Sequence, residues 1–495
     1  MEKQVEAIDV GHREDLDLAP DPVSEMALDT VRRQRLDEDL KGPVVEREHT
    51  HVDDVSLVAR TRISDVFQLH AGFPKTNERT FTFAAEESSV CCRNPPPKHR
   101  PSGDRSTATI PLPAIASGPA EAAHSGIREV VNLALVTPGC IRLEVGEPNF
   151  STPRHIVEAA VDFARQGHVK YTATAGLLSL RERIAAKLER VNGINATPAN
   201  INCTVGGVGG IAAAVAALVE PGDEVLIPDP AWPNYRLMLS WAHGVLVPYP
   251  CMPANKFLPD PREVEKLVTP RTKLLIVNSP CNPTGAVFPR KLLEDLVDVA
   301  ARRNIYLLSD ECYDEVILDG EHVSPASFCT DGRVISAYTF SKTYAMTGWR
   351  VGYVVANEKI SDSITKILES NSSCIPTVCQ KAAEAALDGP REPLQEMVQA
   401  YRERRDLCVG LLEESGMLIS RPQGAFYIMA DVGRSGMDSR EFAFDLVKSK
   451  QVAVAPGTAF GGSARQAVRI SLASSPQDLS VGIGRMIERI EELSA

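Results

Sequence analysis

The sequence contains no apolar run long enough to cross a lipid bilayer. Its longest apolar stretch, residues 206–219, is short and rich in glycine, whereas a membrane-spanning helix needs about 20 apolar residues. The acidic start, residues 1–6, lacks the apolar segment of a secretory or organelle signal. These absences lead us to expect a soluble, cytoplasmic protein.

Paired-cysteine motifs and an excess of positive charge are also missing. The 11 cysteines are scattered without any Cys-x-x-Cys spacing, a usage typical of a reducing compartment and of proteins without structural zinc. The formal net charge of -12 argues against wrapping of nucleic acid or binding to an anionic membrane. We therefore expect small-molecule partners, no metal, no nucleic acid and no membrane.

Residues 1–110 differ from the rest of the chain because their apolar positions follow no sustained helical or strand period. We predict a low-order N-terminal extension in which residues 23–36 can form one helix. From about Ile127, short apolar runs alternate with amphipathic stretches. This alternation predicts an α/β fold with a mostly parallel sheet and helices on both faces. From about Gly389 the pattern indicates a smaller α+β domain.

Five apolar runs are predicted to be strands buried on both faces, because branched aliphatic residues fill them without alternation. Helical stretches lie between several of these runs and after the last one. The predicted strands are residues 224–228, 273–278, 305–310, 333–338 and 352–356, and the clearest helices are 289–303 and 394–414.

The segment of residues 339–350 carries the most chemical information. It contains Lys342 and, eight residues later, Arg350, directly after a predicted strand. An amine can form a Schiff base with an aldehyde, while a guanidinium can neutralise a phosphate. Pyridoxal phosphate presents both groups. Taken alone, however, such a Lys/Arg pair is more often two solvated surface charges than a cofactor site.

Other candidate residues follow predicted strands, where ligands collect in doubly wound sheets. Gly206 and Gly207 precede the helical run 211–218 and can bring backbone N–H groups to an anion. Asp310 can pair with a protonated pyridine nitrogen, and Tyr313 can donate to a ring oxygen. The alternative for the two glycines is helix packing or a turn. For Asp310 it is a helix cap or a surface acid, and for Tyr313 it is core packing.

Three further residues stand at similar positions. Asn282 lies in a turn after a strand, where its side chain can reach a cofactor. Trp232 also follows a strand and either stacks on an aromatic ring or fills the core. Arg469 lies on a short strand of the second domain, where its fork can hold a carboxylate. The alternative is a surface arginine on an edge strand.

Together these segments resemble the class I and II aminotransferases of the pyridoxal-phosphate-dependent aspartate aminotransferase superfamily. The resemblance extends from about Ile127 to the C terminus, and its Asn-Pro-Thr-Gly and Ser-Lys segments are specific in combination. Residues 1–110 have no counterpart in it. The matching segments, in family order, are residues 145–150, 170–171, 206–207, 282–285, 309–313, 341–350 and 468–469.

The resemblance implies roles for the residues that meet the cofactor ring. Lys342 would form the aldimine with pyridoxal phosphate and then shuttle the proton. Asp310 would hold the pyridinium nitrogen, while Tyr313 and Asn282 would hold the ring oxygen. Trp232 would stack on the ring.

A second set of roles concerns the cofactor phosphate. Arg350, Thr339 and the amides near Gly206 and Gly207 would bind it. Tyr171 would reach the phosphate of the neighbouring subunit, because active sites in this family lie at a dimer interface. We therefore expect a homodimer with shared active sites.

The substrate pocket contains the one notable departure from the family pattern. Arg469 would bind the α-carboxylate, with Asn282 nearby and Gly146 lining the same pocket. Some aspartate-type relatives carry a lysine for the distal carboxylate after the phosphate-loop glycines. Here that position is Val208, which puts a preference for aspartate or glutamate in doubt.

The resemblance also implies a domain arrangement and a reaction. Residues 127–155 and 390–495 would form the small domain, and residues 156–389 the large cofactor-binding domain. The predicted function is transfer of the α-amino group of an L-amino acid to a 2-oxo acid. Two alternatives stay open: a pyridoxal-phosphate-dependent lyase on the same fold, either β-eliminating or cyclopropane-forming, and a transcriptional regulator with a DNA-binding N-terminal region.

Overall fold

The computed structural model describes residues 113–121 and 126–495 and contains three sheets. The predicted N-terminal extension, including its helix at residues 23–36, lies outside the described residues. The strands are β1 (Ile141–Arg142), β2 (Ile201–Val205), β3 (Glu224–Asp229), β4 (Val245–Pro250), β5 (Thr272–Asn278), β6 (Tyr306–Asp310), β7 (Val334–Thr339), β8 (Val351–Val355), β9 (Tyr427–Asp431), β10 (Val452–Ala453), β11 (Ala455–Pro456) and β12 (Ala467–Ser471).

Helices precede, separate and follow these strands. A π-helical turn, Leu188–Asn192, continues one of them, and several short 3-10 turns lie in the connections. The α-helices are α1 (Ser117–Glu121), α2 (Gly126–Leu135), α3 (Arg154–Arg165), α4 (Leu178–Lys187), α5 (Gly206–Leu218), α6 (Asn234–Ala242), α7 (Pro261–Lys266), α8 (Arg290–Arg303), α9 (Phe340–Thr343), α10 (Glu358–Asn371), α11 (Thr377–Asp388), α12 (Glu392–Glu414), α13 (Ser439–Lys450) and α14 (Pro476–Ser494).

The largest sheet has seven strands in the order β2-β8-β7-β6-β5-β3-β4. The pairs from β7 through to β4 are parallel, whereas β8 runs antiparallel to both β2 and β7. The five predicted strands are β3, β5, β6, β7 and β8, so the prediction of a mostly parallel sheet is confirmed.

Two edge strands of this sheet, β2 and β4, were missing from the sequence prediction. Strand β4 contains Pro248 and Pro250, and proline is tolerated at a sheet edge because it removes only one donor from the hydrogen-bond ladder. A strand of this kind lacks the continuous run of branched aliphatics on which the prediction depended.

Helices cover both faces of the large sheet, as the sequence predicted. Successive side chains of β5 point to opposite faces, so Leu274 and Ile276 join an apolar cluster with α5, α6 and α10. Leu275 and Val277 instead join a cluster with α8 on the other face. Burial on both faces explains why these strands read as uninterrupted apolar runs.

The C-terminal part of the chain forms a separate, smaller sheet. Strand β12 lies between β11 and β9 and is antiparallel to both, while β1 pairs with β10. Helices α2, α12, α13 and α14 share one apolar cluster with these strands, in agreement with the predicted α+β character. Residues 114–495 form one compact unit, and the predicted division into small and large domains stays a prediction.

No helix in the described part of the chain combines the length and the apolar character that a membrane span requires.

Candidate active site

Lys342 lies on the short helix α9, directly after the buried strand β7. The turn begins at Thr339, whose Oγ1 accepts a hydrogen bond from the Ser341 amide at 3.1 Å. Lys342 Nζ donates to the Gly146 carbonyl oxygen at 2.7 Å. Burial, together with the nearby Arg469 guanidinium, lowers the pKa of Lys342 from 10.5 to about 8. The site therefore holds an amine that is neutral, and so nucleophilic, in a substantial fraction of molecules near pH 8.

A cradle of backbone and guanidinium groups lies beside this lysine. The first turn of α5 begins at Gly206, which has a φ of +67° and donates its amide to the Arg350 carbonyl oxygen at 3.1 Å. A Cβ on Gly206 would collide with the Arg350 guanidinium, and one on Gly207 would lie 3.4 Å from Thr339 Cβ. The residues predicted to bind phosphate are therefore neighbours, although α5 begins at Gly206, earlier than the predicted run 211–218.

Asp310 ends strand β6 and is 4% exposed, which rules out a surface acid. Its carboxylate accepts hydrogen bonds from the Tyr235 hydroxyl and, at 3.2 Å, from the Cys312 amide. Burial raises the pKa of Asp310, and no basic side chain of the described residues forms an ion pair with it. A buried carboxylate in this state gains stability from any cationic group that enters the site.

Trp232 follows β3 and lies next to the partner of Asp310. Its ring meets the Tyr235 ring edge-on, with centroids 5.4 Å apart and an interplanar angle of 88°. The indole is partly exposed and packs against the apolar cluster that contains α5 and α6. One face of Trp232 thus belongs to the core, and the residue also lies beside the site.

Arg469 lies on β12, the central strand of its sheet, and is 3% exposed. The surface edge-strand alternative is therefore wrong. Its guanidinium donates to Asn282 Oδ1 at 2.9 Å and to the Glu144 carbonyl oxygen at 2.6 Å. Its Nε is buried and has no hydrogen-bond partner among the described residues, and burial lowers the pKa of Arg469. A charged fork with an unused donor is a candidate carboxylate site.

Tyr313 belongs to the group of residues around Arg469. It is 5% exposed, and its hydroxyl lies 2.9 Å from the Tyr427 hydroxyl. Tyr427 in turn lies under Arg469, with 4.2 Å between the guanidinium carbon and the ring centroid. Four parts of the chain therefore meet at this site: the segment after β1, the segment after β6, strand β9 and strand β12.

Two predicted residues stand apart from this group. The side chain of Tyr171 is 90% exposed, and no side-chain hydrogen bond or ring contact within the described residues joins it to the other candidates. Val208 lies in the first turn of α5 and is partly buried against the apolar cluster on that face of the sheet.

Sequence reasoning did not identify Tyr235 or Tyr427 as parts of the site. Tyr235 follows Trp232 by three residues and lies in the first turn of α6, and this closeness in sequence to a predicted site residue was the available signal. No comparable signal marks Tyr427, because only the pairing of β9 with β12 brings it to Arg469.

A buried amine of lowered pKa, a buried guanidinium and a glycine-lined cradle, gathered on an α/β scaffold, define an enzyme site for small anionic molecules. The chain belongs to the aminotransferase family: the family model for class I and II aminotransferases matches residues 138–486. Amino-group transfer is accordingly its reaction, and the sequence prediction of an aminotransferase with an α/β fold is confirmed.

Comparison with individual proteins agrees with this assignment. The chain is 38% identical to the aspartate/prephenate aminotransferase of Thermus thermophilus, over 70% of this chain and 89% of the relative. It is 39% identical to aromatic-amino-acid aminotransferase 2 of Thermococcus litoralis, over 74% and 96%. A solved structure of Thermus thermophilus aspartate aminotransferase with maleate matches with a TM-score of 0.73 and 35% identity, over 76% of this chain and 100% of that one.

Proposed function

We propose that this aminotransferase carries pyridoxal phosphate on Lys342 and uses it to move the α-amino group of an L-amino acid to a 2-oxo acid. The observation that carries the proposal is the buried Lys342 amine, whose pKa is lowered to about 8. When bound, the cofactor supplies an aldehyde that captures amines and a ring that withdraws electrons from the substrate.

The residues around Lys342 fit such a cofactor. Asp310 is a buried carboxylate without a cationic partner in the described chain. It is therefore free to pair with the protonated ring nitrogen of the cofactor. Arg350 and the amides of Gly206 and Gly207 would hold the phosphate, since guanidinium groups and helix N-termini both favour anions. Thr339 would add a hydroxyl from the end of β7.

Three more residues would orient the ring. Trp232 would stack on it, and the Tyr313 hydroxyl and the Asn282 amide would hold its oxygen. Both polar groups are buried and already fixed by protein contacts, Tyr313 through Tyr427 and Asn282 through Arg469. Side chains held in this way need little reordering when a ligand binds.

Lys342 would also move the proton between the substrate carbon and the cofactor. A group of pKa near the working pH serves well as both base and acid, and burial moves the lysine into that range. The Gly146 carbonyl holds the amine at 2.7 Å.

Arg469 would grip the substrate α-carboxylate. Within the described residues its Nε is buried without a hydrogen-bond partner, and no carboxylate bonds to its guanidinium. Gly146 would line the same pocket. The Thermus thermophilus structure with maleate is a relative whose bound molecule is a small carboxylate, which is consistent with this role.

We further propose that neutral or aromatic amino acids compete well with aspartate as donors. Val208 brings no cation to the position where some aspartate-type relatives carry a lysine. Relatives named for aspartate and for aromatic substrates are similarly close to this chain, so the names alone do not choose between them.

The proposed assembly is a homodimer in which Tyr171 reaches the neighbouring site. An aromatic side chain that is 90% exposed in one chain is typical of an interface residue. We also propose a cytosolic location, since all nine cysteines of the described residues are free thiols.

The experiment is a spectrum and a product assay. The purified enzyme should absorb visible light, the band should change when an amino acid is added, and Lys342→Ala should lose both the band and turnover. Full activity of Lys342→Ala would overturn the proposal. If the 2-oxo acid product forms only when a 2-oxo acid acceptor is present, the reaction is amino-group transfer. Product formation without an acceptor would indicate the lyase alternative, which the aminotransferase relatives do not favour.

Arg469→Lys tests the carboxylate site separately. The variant keeps the charge but loses the fork, so KM should rise for every amino acid, with a loss of roughly 2–5 kcal/mol in transition-state stabilisation. Arg465→Lys, at a side chain that is 71% exposed, is the matched control and should change nothing. A donor panel tests Val208: a preference for aspartate by several orders in kcat/KM would contradict the proposed specificity.

A further inference from the structure

Tyr427 touches three of the residues assigned to the proposed site, although no sequence motif marks it. Its hydroxyl lies 2.9 Å from the Tyr313 hydroxyl, and its ring centroid lies 4.2 Å from the Arg469 guanidinium carbon. A Cβ on Gly146 would lie 2.7 Å from the Tyr427 hydroxyl oxygen, so the absence of a side chain at Gly146 makes room for this phenol. The Gly146 carbonyl oxygen also accepts a hydrogen bond from the Lys342 amine.

The position of Tyr427 is fixed by the core rather than by the site. It begins strand β9, is 1% exposed and pairs with Ser471 of β12. Its ring also packs against Phe426, with centroids 4.8 Å apart. A phenol held in this way is a rigid support for the groups that contact it.

We propose that Tyr427 is a positioning residue with two separable functions: its hydroxyl orients the Tyr313 hydroxyl toward the cofactor, and its ring supports the Arg469 guanidinium that receives the substrate carboxylate. This inference rests on the proposed function. By donating to the Tyr313 oxygen, Tyr427 would leave the Tyr313 proton free to point at the cofactor ring. The ring would hold the guanidinium through a cation–π contact, which is strengthened by the exclusion of water.

The Tyr313 and Tyr427 hydroxyls are close enough to share a hydrogen bond in which either can be the donor. Burial raises the pKa of Tyr427, while the charge of Arg469 and the hydrogen bond with Tyr313 oppose that rise. The titratable and charged groups that face it are Tyr313 and Cys312 from the segment after β6 and Arg469 from β12. The phenol therefore keeps its proton at neutral pH and has one strong hydroxyl partner, Tyr313.

Two substitutions separate the two functions. Tyr427→Phe removes the hydroxyl and keeps the ring, so kcat should fall about threefold to tenfold while KM for amino acids stays within about twofold. Tyr427→Leu also removes the ring, so KM should rise by a further factor of about three to thirty for every amino acid tested. A purely structural role would predict no such division between kcat and KM.

A spectroscopic titration provides a readout that does not depend on turnover. A phenol that donates to the ring oxygen favours loss of the proton from the cofactor-bound nitrogen of Lys342. Tyr427→Phe should therefore raise the pH at which the visible absorbance changes, in the same direction as Tyr313→Phe. In the Tyr313→Phe background, the added Tyr427→Phe change should have almost no effect, because the two hydroxyls act as one unit.

The control is Tyr401→Phe. Tyr401 is also fully buried, and its ring is stacked on Phe426 with centroids 5.1 Å apart, but its hydroxyl has no hydrogen-bond partner in the part of the chain that the structure describes. Loss of that hydroxyl should leave kcat, KM and the titration unchanged. Circular dichroism and thermal melting confirm that each variant is folded.

The outcomes distinguish this inference from the proposed function. If the wild-type enzyme shows neither the visible band nor its response to amino acids, the proposed function fails first. If the band is present but Tyr427→Phe leaves both kcat and the titration midpoint at wild-type values, the positioning role of the hydroxyl is wrong. Equal KM values for Tyr427→Leu and Tyr427→Phe would show that the ring does not support Arg469.

Discussion

The reactivity of Lys342 comes from its buried environment, which lowers the pKa of its amine. A lysine in water is almost fully protonated at neutral pH, and burial is the main cause that lowers the pKa of Lys342 to about 8. The guanidinium groups of Arg469 and Arg350 act in the same direction. The anion-binding groups of the site therefore also help to keep its amine neutral.

This pKa predicts how fast the enzyme without cofactor takes up pyridoxal phosphate at different pH values. Only the neutral amine attacks an aldehyde, so the rate should rise about tenfold per pH unit below pH 8 and level off above it. For a lysine of ordinary pKa the rise would continue to about 10.5. Stopped-flow absorbance measures the rate. Arg469→Gln removes a nearby positive charge and should move the midpoint upward; an unchanged midpoint near 10.5 in both proteins would contradict the assignment.

Asp310 supplies the second prediction at this scale. Its buried carboxylate should keep the ring nitrogen protonated, so Asp310→Ala should slow a single turnover by at least about a hundredfold at saturating cofactor. Tyr235→Phe removes one hydrogen bond to that carboxylate and should slow it by only about tenfold. Near-normal rates in Asp310→Ala with cofactor bound would show that the carboxylate has no such role.

At the scale of secondary-structure elements, the site depends on how closely α5 approaches the segment between β7 and β8. Gly206 has a φ of +67° and faces the Arg350 guanidinium, while Gly207 faces Thr339 and Cys312. The glycines remove the side chains that would separate these elements, and the first backbone amides of α5 become part of the cradle. The helix and the loop are therefore one structural unit of the proposed phosphate site.

Gly206→Ala should weaken cofactor binding at least about tenfold, because a left-handed alanine costs roughly 1–2 kcal/mol and its methyl group displaces Arg350. The matched control is Gly209→Ala in the same helix. There a Cβ meets its nearest atom, on Val205, at 3.5 Å, an ordinary contact, and alanine favours the helix by about 0.5–1 kcal/mol. Cofactor titrations and melting temperatures measure both variants. Equal cofactor affinity in the two would contradict the close-approach argument.

At the scale of the whole molecule, the proposed dimer gives a direct test with two inactive partners. If Tyr171 serves the neighbouring site, a mixture of Tyr171→Ala and Lys342→Ala chains contains hybrid dimers with one intact site. Refolding an equal mixture should restore about a quarter of wild-type activity. Each variant refolded alone is the control. Failure to regain activity in hybrids, with a dimer seen by light scattering, would place Tyr171 outside the neighbouring site.

The N-terminal extension gives a second prediction at this scale. The family match covers residues 138–486, and the compact unit begins at Ala114. A truncated protein that begins at Thr107 should therefore keep its cofactor spectrum and turnover. Loss of activity in this protein, with its circular dichroism and melting unchanged, would show that the preceding residues complete the site.

The features that could be predicted from the sequence are those that depend on neighbours along the chain. Continuous branched-aliphatic runs identified the central strands because burial on both faces leaves no polar positions. The strand–turn segments around Asp310 and Lys342 were identifiable because their residue types and spacing are local. Resemblance then supplied the family, which the comparison confirmed.

Which residues distant in sequence come into contact could be seen only in the folded structure. The pairing of β9 with β12 brings Tyr427 under Arg469, and Tyr235 of α6 reaches Asp310 at the end of β6. A local sequence pattern predicts that a side chain is buried but not which residues it contacts. Those contacts depend on the packing of elements that are far apart in sequence. For the same reason, the sequence left Arg469 open between a surface position and a buried site, and burial in the central strand of the small sheet decided it.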